Sequence, residues 1–139
     1  MILLPIAPHQ LHTWWRTVSG DLALCLPHDN DEVWLEDVYS MLRAGQATLY
    51  VALVDDAYAA CVVVIARQDP WTGQSRLHIW LSRNHEGHDV LREGMKQLEN
   101  IARQMGAREI TLRSDTMAMQ RLTRDMGFRL REIELVKEV

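Results

Sequence analysis

The residues whose types and spacing could do chemistry sit in one run, Ser82-Arg83-Asn84-His85-Glu86-Gly87-His88, followed at once by Asp89-Val90 and a long amphipathic pattern. An arginine, a glycine and a helix start in that order can hold an anion. The first turn of a helix has free N–H groups and the positive end of the helix dipole, and glycine lets backbone approach a ligand closely. The stretch from Arg83 to Leu91 is therefore a place suited to a pyrophosphate. The same loop could serve a metal through His85, His88 and Asp89, but no distant ligand of fitting spacing accompanies them. Solvated histidines and no metal site are the expectation. For proton transfer near neutral pH, the strand Arg76–Ser82 contains no carboxylate and offers His78 alone. Its structural counterpart is a hydrogen-bonded packing histidine beside Trp80.

Other clusters are weaker. Arg113, Arg121, Arg124, Arg129 and Arg131 form a local basic concentration, but Glu132 and Glu134 interrupt it and the formal net charge is -4. A solvated face is expected there, with no nucleic-acid partner. Cys25 and Cys61 lack metal or redox spacing and read as reduced, buried thiols. Trp14 and Trp34 fit helix core stripes, whereas Trp71 falls in a turn and is the candidate for an exposed contact.

The elements that must position these groups follow from periodicity. Residues 2–7 can form a strand, and Leu11, Trp14, Trp15 and Val18 then mark one face of a helix that Gly20 ends or bends. Asp29-Asn30-Asp31-Glu32 has the spacing of a second helix start, with Trp34, Val38, Met41 and Leu42 on one side and Arg43 and Gly45 as its stop. Ala47–Val54 and Ala59–Ala66 are continuous apolar runs joined by Asp55-Asp56-Ala57-Tyr58, hence antiparallel strands covered on both faces. A third strand, 76–82, alternates Leu77, Ile79 and Leu81 against His78, Trp80 and Ser82. Asp89 then caps a helix striped by Leu91, Gly94, Met95, Leu98, Ile101 and Ala102, which Gly106 ends. A strand at 108–113, a helix capped by Ser114 or Asp115, and a last strand from Phe128 to Val136 complete the chain. A strand, a long helix and another strand imply a right-handed crossover, so 76–82 and 108–113 should be parallel neighbours. With 139 residues, a single domain over 1–139 is expected.

That order, strand, two helices, three antiparallel strands, helix, strand, helix, strand, resembles the GCN5-related N-acetyltransferase (GNAT) family over nearly the whole chain. The matching residues are Leu77–Leu81, the helix from Asp89 to Gly106, the strand Arg108–Ser114, and Leu122–Phe128 ending in Gly-Phe. The resemblance implies an α/β (α+β), three-layer GNAT-like fold around a mixed central sheet. It also implies acetyl-CoA as cofactor, lying between strands that splay apart, with Leu81, Ser82, Arg83, Gly87, His88, Asp89 and Val90 around it. Family members carry Gln or Arg, two variable residues, Gly, one variable residue, then Gly or Ala. Here Arg83 is one place out of register, Gly87 stands alone and Asp89 occupies a small-residue position. The family acid, a Tyr four residues before the Gly of Gly-Phe, corresponds to Thr123, and the usual Glu base of the central strand is absent, leaving His78.

These departures imply a degenerate acetyl-CoA site and a non-catalytic interaction or structural protein. The alternative is an active acetyl-CoA-dependent N-acetyltransferase acting on an unidentified amine. The C-terminal part, Ser114-Asp115-Thr116 through Arg121-Leu122 to Met126-Gly127-Phe128, is also similar to small GNAT-like proteins of tailed bacteriophages, of the internal virion protein A type. A virion or assembly component would fit that likeness. The family usually has two strands after Gly-Phe, and the eleven residues beyond Phe128 suffice for one. An open sheet edge there implies a protein partner or a homo-oligomer. Met1–Ile6 is too short for an exported leader and no apolar run reaches membrane-spanning length, so a cytoplasmic location, host cytoplasm or virion, is expected and no membrane partner.

Overall fold

The computed structural model describes residues 1–26, 33–114 and 116–139, and of His88 the backbone alone. Its elements are β1 (Ile2–Ile6), α1 (Leu11–Cys25), α2 (Leu35–Arg43), β2 (Thr48–Val54), β3 (Ala57–Gln68), β4 (Ser75–Asn84), α3 (His88–Gln104), β5 (Glu109–Leu112) and α4 (Met117–Asp125). The five strands lie in the order β1-β2-β3-β4-β5, antiparallel except for the parallel pair β4 and β5. That pair is the crossover expected around the long helix.

The sheet separates two cores, and the period-two alternation of its strands explains both. On one face Leu49, Val51, Cys61 and Val63 meet Leu11, Val18 and Leu22 of α1 and Val38 and Leu42 of α2. On the other, Val62, Val64, Leu77 and Ile79 meet Met95, Leu98 and Ala102 of α3. Each fully buried Leu or Val contributes about 1.5–3 kcal/mol relative to exposure, so three layers follow from strands that are apolar on both faces.

A bulge changes the alternation in β4. Val63 pairs with Leu81 and Val64 with Ile79, which leaves Trp80 unpaired. Leu77 and Ile79 therefore pack under α3, whereas Leu81 joins the core beneath α1 and α2. The β2–β3 hairpin turns on Asp55 and Asp56, both at positive φ (50° and 63°), the conformation of a tight two-residue turn.

Several expectations need correction. Helix α1 runs through Gly20 to Cys25, because its stripe continues with Leu22. The helix start expected at Asp29–Glu32 lies outside the described residues. Trp34 is not a core residue: it caps α2 with its backbone and is 59% exposed. Strand β4 extends to Asn84, so Ser82, Arg83 and Asn84 belong to the strand rather than to the loop. Gly87, not Asp89, caps α3. Thr116, not Ser114, caps α4, its hydroxyl accepting from Met119 N–H at 3.3 Å; Asp115 lies outside the described residues. Residues 128–136 form no strand: they are held beside β5 by Arg131–Glu109 (2.7 Å) and Arg113–Glu134 (4.0 Å), with no ladder hydrogen bonds. Charge pairing there replaces the backbone pairing that a strand would need.

Candidate functional site

The cleft arises where β4 outruns its partner. Pairing proceeds from Arg76–Glu109 to Ile79–Leu112, where β5 ends, while β4 continues to Asn84. Ser82 and Arg83 on this free stretch, Val90 and Met95 of α3, and Met119 and Thr123 of α4 line a cavity of about 90 Å³. Helix α4 is brought there by the Gly127-Phe128 corner. Phe128 N–H donates to Thr123 O and Gly127 N–H to Arg124 O, both at 3.0 Å, and Gly127 takes φ 91°. This is a Schellman ending, whose left-handed residue favours glycine, and Phe128 completes it by packing against the core under α3.

The phosphate-suited end is also built. Gly87 enters α3 with φ 95° and ψ -168°, a conformation essentially restricted to glycine. Asn84 supports the turn, donating to Gly87 O at 2.6 Å and accepting from Glu86 N–H at 3.0 Å. Asp89 lies exposed in the first turn, where a carboxylate stabilises the helix dipole but opposes a second anion.

The sequence-derived site residues divide accordingly. Ser82, Arg83, Val90 and Thr123 line the cleft, and Gly87, His88 and Asp89 open the helix beside it. Leu81 does not line it, because the Trp80 bulge turns it into the opposite core. Thr123 is 6% exposed and its hydroxyl donates within its own helix, with Met119 O at 2.8 Å and Gln120 O at 3.2 Å. His78 is 5% exposed, stands on the face opposite Leu77 and Ile79, and places Nδ1 2.8 Å from Thr111 Oγ1. Burial, then the charges of Arg67 and Arg113, lower its pKa to about 4. The ring is thus buried and hydrogen-bonded in the core.

Sequence reasoning missed Asp21. This α1 carboxylate accepts from Tyr58 OH at 2.6 Å and His85 Nε2 at 2.8 Å, with Arg83 Nε at 3.9 Å. Burial opposes its ionisation, but the Tyr58 and His85 hydrogen bonds and the charges of His85 and Arg83 prevail and hold its pKa below the usual carboxylate value. His85 is thus bound rather than merely solvated. Burial and the Asp21 carboxylate push the Tyr58 phenol far up, and burial pushes Cys61 to about 11 and Cys25 upward. Cys25 donates its thiol to Ser82 O at 3.2 Å. The available signal was a charge on an apolar stripe, since Asp21 is three residues from Val18 and adjacent to Leu22. Its partners, far along the chain, carried none.

Among the described residues no group of three or more His, Cys, Asp or Glu is placed to hold a metal, and no helix is long and apolar enough to cross a membrane. Trp71 is 92% exposed in its turn.

Known proteins repeat this architecture. A crystal structure of a probable acetyltransferase superposes with TM-score 0.77 at 14% identity, covering 100% of this chain and 98% of that one. The ribosomal-protein-alanine N-acetyltransferase from Brucella melitensis biovar Abortus 2308 gives 0.75 at 13% identity, covering all of both chains. The aminoglycoside N-acetyltransferase AAC(6')-Iy, solved in complex with CoA, gives 0.74 at 15% identity over 99% and 93%. No curated protein matches the sequence. The model of the acetyltransferase (GNAT) family matches residues 10–128, and this chain belongs to that family.

Proposed function

We propose that this protein works by contact rather than by acetyl transfer: a GNAT-fold interaction or structural protein with a degenerate acetyl-CoA site. One observation carries the reading. The groups at the acid and base positions are held by the fold: the Thr123 hydroxyl donates to carbonyls of its own helix, and the buried His78 ring has Nδ1 on Thr111. Amine acetylation needs an acid for the leaving thiolate and a base for the amine proton; a hydroxyl bonded within its own helix and a buried imidazole with its pKa lowered to about 4 suit those roles poorly. The residues also fit CoA unevenly. Ser82, Arg83 and the first turn of α3 would hold it, and it would supply an activated acyl thioester, but Gly87 is the single glycine of the loop and Asp89 sets a negative charge among the N–H groups meant for phosphate.

The contact surface in this reading is the β5 edge with the segment after Phe128. Leu130, Ile133, Leu135 and Val136 there are 75–91% exposed, a surface suited to another protein chain, a second copy being the first to test. The likeness to phage-encoded proteins supports a virion or assembly role. The other reading, an acetyl-CoA-dependent N-acetyltransferase, is favoured by the open divergence of β4 from β5. Incubation with acetyl-CoA and a panel of amines separates the two. We expect no amine-dependent thiol release, and release accompanied by an acetylated amine overturns the proposal. Light scattering should show self-association that Leu135→Asp abolishes; a monomer at every concentration removes the second-copy surface.

A further inference from the structure

The residues after Phe128 carry a pattern that contacts within one chain only partly use. Arg129-Leu130-Arg131-Glu132-Ile133-Glu134 reads cation, apolar, cation, then anion, apolar, anion. Reversed, this stretch is its own complement. If two copies lie antiparallel about a two-fold axis between Arg131 and Glu132, Arg129 of each faces Glu134 of the other, Arg131 faces Glu132, and Leu130 faces Ile133. Directly opposed residues of antiparallel strands have Cβ atoms about 4.5–5.5 Å apart, so every rung of this ladder joins opposite charges or two apolar groups. No neighbouring register does so. A slip of one residue sets Arg131 against Arg131, or Glu132 against Glu132, at the axis, and a slip of two keeps only one of the two kinds of charge pair.

The structure leaves the stretch open to such pairing. Residues 129–139 are exposed and belong to no strand, and Leu130 and Ile133 are 75% and 76% exposed. Among the described residues, Arg129 and Glu132 have no ion-pair partner in their own chain. Glu134 meets Arg113 at 4.0 Å with the two side chains 70% and 75% exposed, a pair of little worth in water. Arg131 holds Glu109 at 2.7 Å, and a guanidinium with its fork of N–H donors accommodates a second carboxylate. The same contact keeps the stretch beside β5, so pairing through it would set two sheets edge to edge. Its length is that of an ordinary strand. The next rung sets Leu135, 91% exposed, against Phe128 of the other copy.

We infer that two copies of this chain pair through residues 129–134, antiparallel about an axis between Arg131 and Glu132. The inference rests on the contact reading above and gives that surface its partner and its register. Each rung occurs twice by symmetry, so one substitution alters two rungs.

The test is an exchange of charges, read by sedimentation velocity over a concentration series of the whole chain. Arg129→Glu sets carboxylate against carboxylate, and Glu134→Arg sets guanidinium against guanidinium, both at exposed positions. We expect each variant alone to have a dimer dissociation constant about ten- to a hundredfold above the parent, since both symmetric rungs pass from attraction to repulsion. Mixed in equal amounts, the two variants should form a one-to-one dimer of near-parental affinity, because each exchanged charge then meets its opposite. The double variant Arg129→Glu/Glu134→Arg should pair with itself and not with the parent. A dimer indifferent to these exchanges overturns the register, while the surface probed by Leu135→Asp stands. Variants that stay apart both when mixed and when combined in one chain overturn it equally. A monomer at every concentration removes the second-copy surface and the register together. The thiol-release assay bears on the contact reading alone, so failure of the one is distinguishable from failure of the other.

Discussion

Acidification from pH 6.5 to 4 should cost this fold roughly 3 kcal/mol through His78 alone. The ring is 5% exposed, and its pKa falls from 6.5 to about 4, through burial first and the nearby charges of Arg67 and Arg113 second. Between those two values the unfolded chain holds a proton that the folded chain does not. The contribution is therefore complete above pH 6.5 and is lost as pH falls to about 4, below which both states are charged. At about 1.4 kcal/mol per pH unit, the difference gives the figure above. The carboxylates of Asp21, Asp69 and Glu109, all held below their ordinary values, act lower on the pH scale. Urea unfolding followed by tryptophan fluorescence at pH 7, 6, 5 and 4.5 measures the slope. His78→Gln keeps a polar partner for Thr111 and removes the titration, so its stability should be lower at pH 7 and much flatter down to pH 4.5. Parallel curves for the two proteins would refute the assignment of His78 as a buried neutral residue of lowered basicity.

Two further substitutions test the local geometry. Gly87→Ala forces a side chain into φ 95°, ψ -168° at the start of α3 and should cost about 1–3 kcal/mol, read from the urea midpoint; a change below a few tenths would show that the turn relaxes freely. Asp21→Asn should cost about 1.5–3 kcal/mol and speed amide exchange at His85, whose N–H donates to Ala59 O at 2.9 Å. Because the Asp21 pKa is lowered on folding, this contribution is full above about pH 3.9 and fades at lower pH, so wild type and variant should converge in acid. Unequal acid slopes of the opposite sign would contradict it.

Much of the architecture was legible because it depends on short-range pattern. The β2–β3 hairpin, the stripe of α3 and the parallel relation of β4 and β5 follow from periodicity and chain order. The site was less legible because its features depend on single residues out of pattern. The Trp80 bulge reverses which face Leu81 joins, and period-two reading carries no mark of a bulge. Trp34 looked like a core residue on a helical spacing that begins one residue after it. The Asp21 cluster joins α1, β3 and the loop at His85 across 37 and 64 positions of sequence, a separation at which one sequence gives no pairing signal. The residues after Phe128 alternate well enough for a strand, yet they lie beside β5 through side-chain ion pairs to Glu109 and Arg113 without joining its ladder.

The cleft itself has a structural origin independent of any reaction. Leu77, Ile79 and Leu112 belong to the core under α3, and the crossover that places them requires β5 to run parallel to β4. β5 ends at Leu112, while β4 must reach Asn84 to support the turn at Gly87. A divergence between them is thus maintained by packing and by the entry to α3, whatever occupies it. Chemistry has to be argued from side chains, and there the Thr123 hydroxyl donates to Met119 O within its own helix and His78 Nδ1 meets Thr111 Oγ1. At the end of β4, Arg83 and His85 are both drawn to Asp21 on α1, which fixes the strand end and the loop that leads into α3.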